Sequence, residues 1–174
     1  MIHVCSLTRL HSTVAATGAG RVVSLLSIGT AVERPGTVAE ADHLLLSMHD
    51  IVDEQPDLVP PGRHHVEQLL EFARGWDRSK PLVVHCFAGI SRSTAAAYII
   101  AAALDPEREE TELAATLRRA SPSATPNSRL IALADGLLGR DGRMISAIAA
   151  IGRGADALEG VPFRLDVRSA LLSA

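Results

Sequence analysis

One stretch gathers the residue types that can do chemistry: His85-Cys86-Phe87-Ala88-Gly89-Ile90-Ser91-Arg92-Ser93-Thr94. The apolar run Pro81 to Val84 before it reads as a short buried strand, and the Ala-rich run after it reads as a helix. A cysteine therefore stands at a strand's end, and a compact loop leads into a helix N-terminus. Such a loop can turn successive N–H groups toward one centre, a nest for oxygens. The helix start adds partial positive charge and further donors. Arg92 offers a planar fork that can grip two phosphate oxygens. The same field favours thiolate at Cys86, because a free thiol titrating near pH ~8.5 is lowered in such surroundings. A thiolate beneath an anion cradle points to nucleophilic attack on phosphorus through a cysteinyl-phosphate.

These groups need a sheet to stand on and helices to back it. Ile2 to Leu7, Arg21 to Ile28 and His43 to Met48 read as strands, with a short helix over Thr8 to Thr17 closed by Gly18 and Gly20. The acidic, Pro-containing segment Asp50 to Asp57 is a loop. Gly62 to Trp76 carries Val66, Leu69, Leu70 and Ala73 on one helical face, with Pro61 near the first helical position. Ser93 to Leu104 is apolar all round and so belongs in the interior. Glu109 to Ala120, Ser128 to Leu138 and Arg143 to Ile151 read as three further helices. The expected fold is α/β, a central mixed sheet flanked by helices with a helical C-terminal half. Residues 1–152 read as a single domain and 153–174 as a tail, in which Phe163 to Val167 is open between strand, arm and unstructured end.

Composition narrows the task. At 174 residues the chain can build one real core. With 47% apolar but only 3% aromatic residues, that core must be mostly Leu, Val, Ile and Ala. A net charge of −3 with no long block of one sign argues against nucleic-acid or membrane-surface partners. Cys5 and Cys86 are too few for a disulfide framework, and a reactive thiol needs a reducing compartment. The first residues lack a continuous apolar core and no run is long enough to span a membrane. A soluble cytoplasmic protein is expected. His64-His65 has no further ligand at metal spacing, and no Gly-x-Ser-x-Gly elbow supports a serine nucleophile, so neither metal nor cofactor is expected.

His85, Cys86, Gly89, Arg92 and Ser93 together resemble the signature loop of the cysteine-dependent protein tyrosine and dual-specificity phosphatases. The resemblance implies their three-layer fold and hydrolysis of phosphotyrosine or mixed phosphotyrosine and phosphoserine/threonine substrates. It implies Cys86 as nucleophile, Arg92 with the loop positions Phe87, Ala88, Gly89, Ile90 and Ser91 as the phosphate site, and Ser93 as the group easing thiolate release. His85 would orient the loop. A general-acid aspartate belongs on a loop well before the cysteine. Asp50 comes directly after the strand His43–Met48, where the family places it; Asp53 has the more usual spacing and is the alternative, with Asp57 behind both. The family's Trp-Pro-Asp form of this loop is absent. Pro126-Asn127 matches a pair in dual-specificity members, and Asn127 would brace the loop, position water or cap the next helix. No variable loop position is basic, which argues for a phosphomonoester rather than a polyphosphoinositide. The implied partner is a phosphorylated protein or a small phosphomonoester. Rival readings are a catalytically impaired phosphate-binding module of the same fold, a phosphatase for a small-molecule or nucleotide monophosphate, and sulfur or arsenate chemistry on a looped cysteine.

Overall fold

The computed structural model describes residues 1–168. Five strands form one sheet: β1 Ile2–Ser6, β2 Arg21–Leu26, β3 His43–Ser47, β4 Leu82–Cys86 and β5 Phe163–Leu165. Their order across the sheet is β3-β2-β4-β1-β5. β1 to β4 run parallel, and β5 lies antiparallel on β1. The helices are α1 Leu10–Thr17, α2 Arg63–Arg74, α3 Arg92–Leu104, α4 Glu110–Ala120, α5 Ser128–Leu138 and α6 Arg143–Ile151.

Period-two alternation divides the strands between two cores. Val22, Val83 and Cys5 face one side, where Leu10 and Val14 of α1 cover them. Val23, Leu25, Leu82, Val84 and Cys86 face the other, against the apolar faces of α2 to α6. The result is the three-layer α/β architecture expected. β4 lies between β1 and β2 and all five of its residues are buried, which suits its Leu-Val-Val run. It runs further than the expected Pro81–Val84. His85 and Cys86 pair with Cys5 and Ser6 on one side and with Ser24 and Leu25 on the other, so the ladder carries the strand to the cysteine itself.

Directly after the loop, α3 is buried along nearly its whole length. Its tyrosine is not a polar cost, because Tyr98 Oη donates to the Glu110 carbonyl at 3.0 Å. α2 begins at Arg63 with Gly62 as its cap, one residue later than the expected start at Gly62, and the His65 ring accepts the Gly62 N–H at 2.9 Å. α4 to α6 follow the expected boundaries closely.

After α6 the chain doubles back over the domain. Gly154 N donates to Thr125 Oγ1 at 3.1 Å, Ala155 N to the Pro122 carbonyl at 2.9 Å, and Gly160 N to the Ala88 carbonyl at 2.8 Å. Phe163–Leu165 then joins the sheet as β5, so of the readings open for this stretch the strand is the one adopted. Residues 169–174 of the expected tail lie outside the described residues.

Candidate active site

The loop between β4 and α3 has to aim its amides at one point, so its carbonyls must find donors elsewhere. They do, and the donors come from separate parts of the chain. Leu7 N binds the Phe87 carbonyl at 3.1 Å, Gly160 N the Ala88 carbonyl at 2.8 Å, and Thr125 N the Ile90 carbonyl at 3.0 Å. The Ser91 carbonyl receives Ala95 N at 3.0 Å and Asn127 N at 3.4 Å. Among the described residues the amides of Ala88, Ile90 and Ser91 donate to no carbonyl. Carbonyls fastened outward and amides left free make the oxyanion nest that the sequence pattern implies.

Gly89 is required at its position. Its φ of +73° favours glycine, and a Cβ there would meet the backbone of Cys5 and Ser6 at 2.8 Å. The loop is therefore pressed against β1, and the thiol is set by that contact. Cys86 Sγ lies 3.1 Å from Ser93 Oγ and accepts Gly89 N–H at 3.3 Å. The other cysteine, Cys5, is a different case: burial first, then the neighbouring Cys86, raises its thiol to about 11, so it stays protonated and inert.

Arg92 is buried and turned inward. Nη1 donates to the Met48 carbonyl at 2.7 Å and to Ser27 Oγ at 3.3 Å. Its Nε is buried without a hydrogen bond and lies 3.8 Å from Asp50 Oδ2. One side of the guanidinium is thus fastened to the ends of β2 and β3, while Nε is left for an anion. A buried, unpaired N–H costs about 1–3 kcal/mol, which an oxyanion in the nest would relieve.

Asp50, Ser91 and Asn127 converge on this point. Asp50 Oδ1 accepts from Ser91 Oγ and from Asn127 Nδ2, both at 2.8 Å, leaving Oδ2 toward Arg92. Asn127 also caps α5, its Oδ1 accepting Leu130 N at 3.1 Å, so one side chain both holds Asp50 and starts a helix. Its amide braces the aspartate, and its backbone N–H braces the loop. Asp53 lies exposed, with no hydrogen bond to the loop or to Arg92 among the described residues. Of the variable loop positions, Phe87 is strongly exposed and is the one exposed aromatic residue among those described.

A group that the sequence reading passed over stands behind His85. Register places Ser24 beside His85, and Ser24 Oγ lies 2.6 Å from His85 Nε2 and 2.8 Å from His43 Nε2. One hydroxyl proton cannot serve both rings, so one imidazole donates and the other accepts. This fixes the ring that precedes Cys86. Burial holds the His85 imidazole down at about 4, so it is neutral at working pH and no base. The unfolded chain's histidine takes its proton near pH ~6.5. Between these values the unfolded state binds more protons, so stability falls as pH drops through that window. The loss attributable to His85 is about 3 kcal/mol. Urea titrations at pH 7 and 4 on wild type and His85→Asn check it: the wild type should lose more stability over the interval than the variant.

The family model for protein-tyrosine phosphatases matches residues 17–121. No curated protein matches the sequence. Among solved structures, the chain is similar to the Cydia pomonella PTP-2 phosphatase at 19% identity, over 78% of this chain and 84% of that one, with a TM-score of 0.60. It is similar to human DUSP28 at 18% identity, over 80% and 88% respectively, with a TM-score of 0.60. A mouse putative dual specificity phosphatase gives 18% identity over 82% and 84%, with a TM-score of 0.59. At these identities the structures establish the shared fold, and the family match carries the rest: the chain belongs to the protein-tyrosine phosphatase family and is a phosphatase.

Proposed function

We propose that the protein hydrolyses phosphotyrosine, or phosphotyrosine together with phosphoserine/threonine, on proteins through a phosphocysteine at Cys86. The phosphoryl oxygens enter the nest of loop amides and take Arg92 Nε as a further donor. The Cys86 thiolate forms the S–P bond from beneath as the P–O bond to the substrate breaks. The leaving oxygen takes its electron pair and a proton from Asp50. Oδ1 already accepts two hydrogen bonds, so Oδ2 is the atom that carries that proton. Water then attacks the phosphocysteine and gives its proton to the Asp50 carboxylate. Sulfur leaves as thiolate, stabilised by Ser93 Oγ and Gly89 N–H.

The observation that carries this reading is the pairing of a sulfur that accepts the Gly89 N–H and touches Ser93 Oγ with an inward, half-anchored arginine at one end of the sheet. A thiolate nucleophile works in a reducing compartment, and the cytoplasm is the location this reading favours. Acid quenching during turnover of a phosphotyrosyl peptide, followed by mass analysis, should find a phosphoryl group on the fragment bearing Cys86. Turnover without that adduct, or no turnover of any phosphomonoester, overturns the mechanism.

A further inference from the structure

Nine large apolar side chains are exposed among the described residues, and they are not scattered evenly. Five of them, Ile28, Val52, Phe87, Leu158 and Val161, are chain neighbours of the residues that frame the reaction centre. Ile28 follows Ser27, which receives Arg92 Nη1. Val52 follows Ile51, whose carbonyl lies 3.4 Å from Asn127 Nδ2. Phe87 is next to the nucleophile. Leu158 and Val161 flank the pair Glu159-Gly160, which is fastened at both residues. Glu159 accepts the hydroxyls of Ser6 and Thr8, and Gly160 N donates to the Ala88 carbonyl at 2.8 Å.

That attachment is close. A Cβ on Gly160 would meet the Gly89 carbonyl oxygen at 2.7 Å, so the segment lies directly on the signature loop. Yet Leu158 is 100% exposed and Val161 79% exposed, so neither side chain serves the core. Apolar groups concentrated round a reaction site mark contact with a partner rather than chance exposure.

We infer that these five residues form an apolar collar that binds apolar side chains on either side of the phosphorylated residue in a protein substrate. The inference rests on the phosphatase reading above and names the substrate's surroundings. Charge decides between a polypeptide and a lipid surface. The exposed carboxylates Asp53, Glu54 and Asp57 follow Val52 in the chain, and among the described residues only Glu54 of the three has a cationic partner, Arg129 at 3.4 Å. The variable loop positions carry no lysine or arginine. An anionic membrane surface selects the opposite, a basic rim. The same carboxylates disfavour acidic residues beside the phosphorylated position.

The test compares phosphotyrosyl peptides whose flanking residues are Leu/Val, Ser/Gly or Asp/Glu, with para-nitrophenyl phosphate as a substrate that has no flanking residues. Wild type should show the highest kcat/KM on the Leu/Val peptide and the lowest on the Asp/Glu peptide. Leu158→Ser/Val161→Ser should lower kcat/KM on the Leu/Val peptide about tenfold, mainly through KM, and leave para-nitrophenyl phosphate turnover within about twofold. Equal turnover of all three peptides by wild type overturns the collar while leaving the phosphatase reading intact. So does an equal loss on peptide and para-nitrophenyl phosphate in the double variant, which would make the segment a support for the loop alone. Preference for a phosphomonoester lipid in neutral vesicles, lost in the same variant, would assign the collar to a membrane instead. Failure of wild type on para-nitrophenyl phosphate is the separate signature of a failed phosphatase reading, and it removes the collar's role with it.

Discussion

Cys86→Ser is expected to lower kcat toward an aryl phosphate by at least about 10⁴-fold while leaving oxyanion binding largely in place. A thiol gives up its proton far more readily than a serine hydroxyl, which stays protonated in the same place and is a poor nucleophile. The cup does not depend on the sulfur for its shape. Its carbonyls are fastened by Leu7, Gly160, Thr125, Ala95 and Asn127, and Arg92 is anchored on the Met48 carbonyl. Removing sulfur alters only the contacts to Ser93 and Gly89. Calorimetric titration with vanadate or inorganic phosphate should therefore show binding to the serine variant within a few-fold of wild type. Arg92→Ala in the same titration should lose it. Aryl phosphate turnover by the serine variant near the wild-type rate would mean that the phosphoryl group never visits Cys86.

Much of this centre was legible in the residues. The strand, loop and helix follow from an apolar run, one glycine and an Ala-rich run, and Cys86 and Ser93 meet because both ends of one short loop must close on its centre. That Asp50 stands just beyond a strand was legible, and it is the third residue past the end of β3. Its link to Asn127 was not, because the two come together only when the start of α5 packs beside the end of β3. The carbonyl anchors left no trace in the sequence. Leu7, Thr125 and Gly160 act through backbone N–H groups, which every residue but proline possesses. Gly89 reads alone as a loop residue and Gly160 as part of the tail, and the close approaches that require them, Gly89 against Cys5 and Ser6 and Gly160 against the Gly89 carbonyl, exist only in three dimensions. Ser24 and His43 sit in stretches that read as ordinary strand, and only the register reveals that they share a hydroxyl. β5 stayed ambiguous for a physical reason: a three-residue edge strand after a proline takes its stability from pairing with β1, not from its own pattern.

The choice between Asp50 and Asp53 yields to a leaving-group experiment. Asp50→Asn should lower kcat on phenyl phosphate by roughly 10²- to 10⁴-fold, since a phenoxide leaves slowly without a proton. On a dinitrophenyl phosphate, whose oxygen departs readily as an anion, the same variant should lose little. Asp53→Asn should stay near wild type on both, because its side chain lies exposed and bonds neither the loop nor Arg92. Asparagine is the informative replacement. Its amide oxygen can still accept from Ser91 and Asn127 as Oδ1 does, so the braces at 2.8 Å are kept and only the transferable proton is lost. Asn127→Ala should then give a smaller, leaving-group-dependent loss, because the proton donor is present but held by Ser91 alone. Should Asp50→Asn instead depress both substrates equally, the aspartate shapes the phosphate site rather than protonating the leaving group. The rising effect with a poorer leaving group is the signature that separates a proton donor from a scaffold.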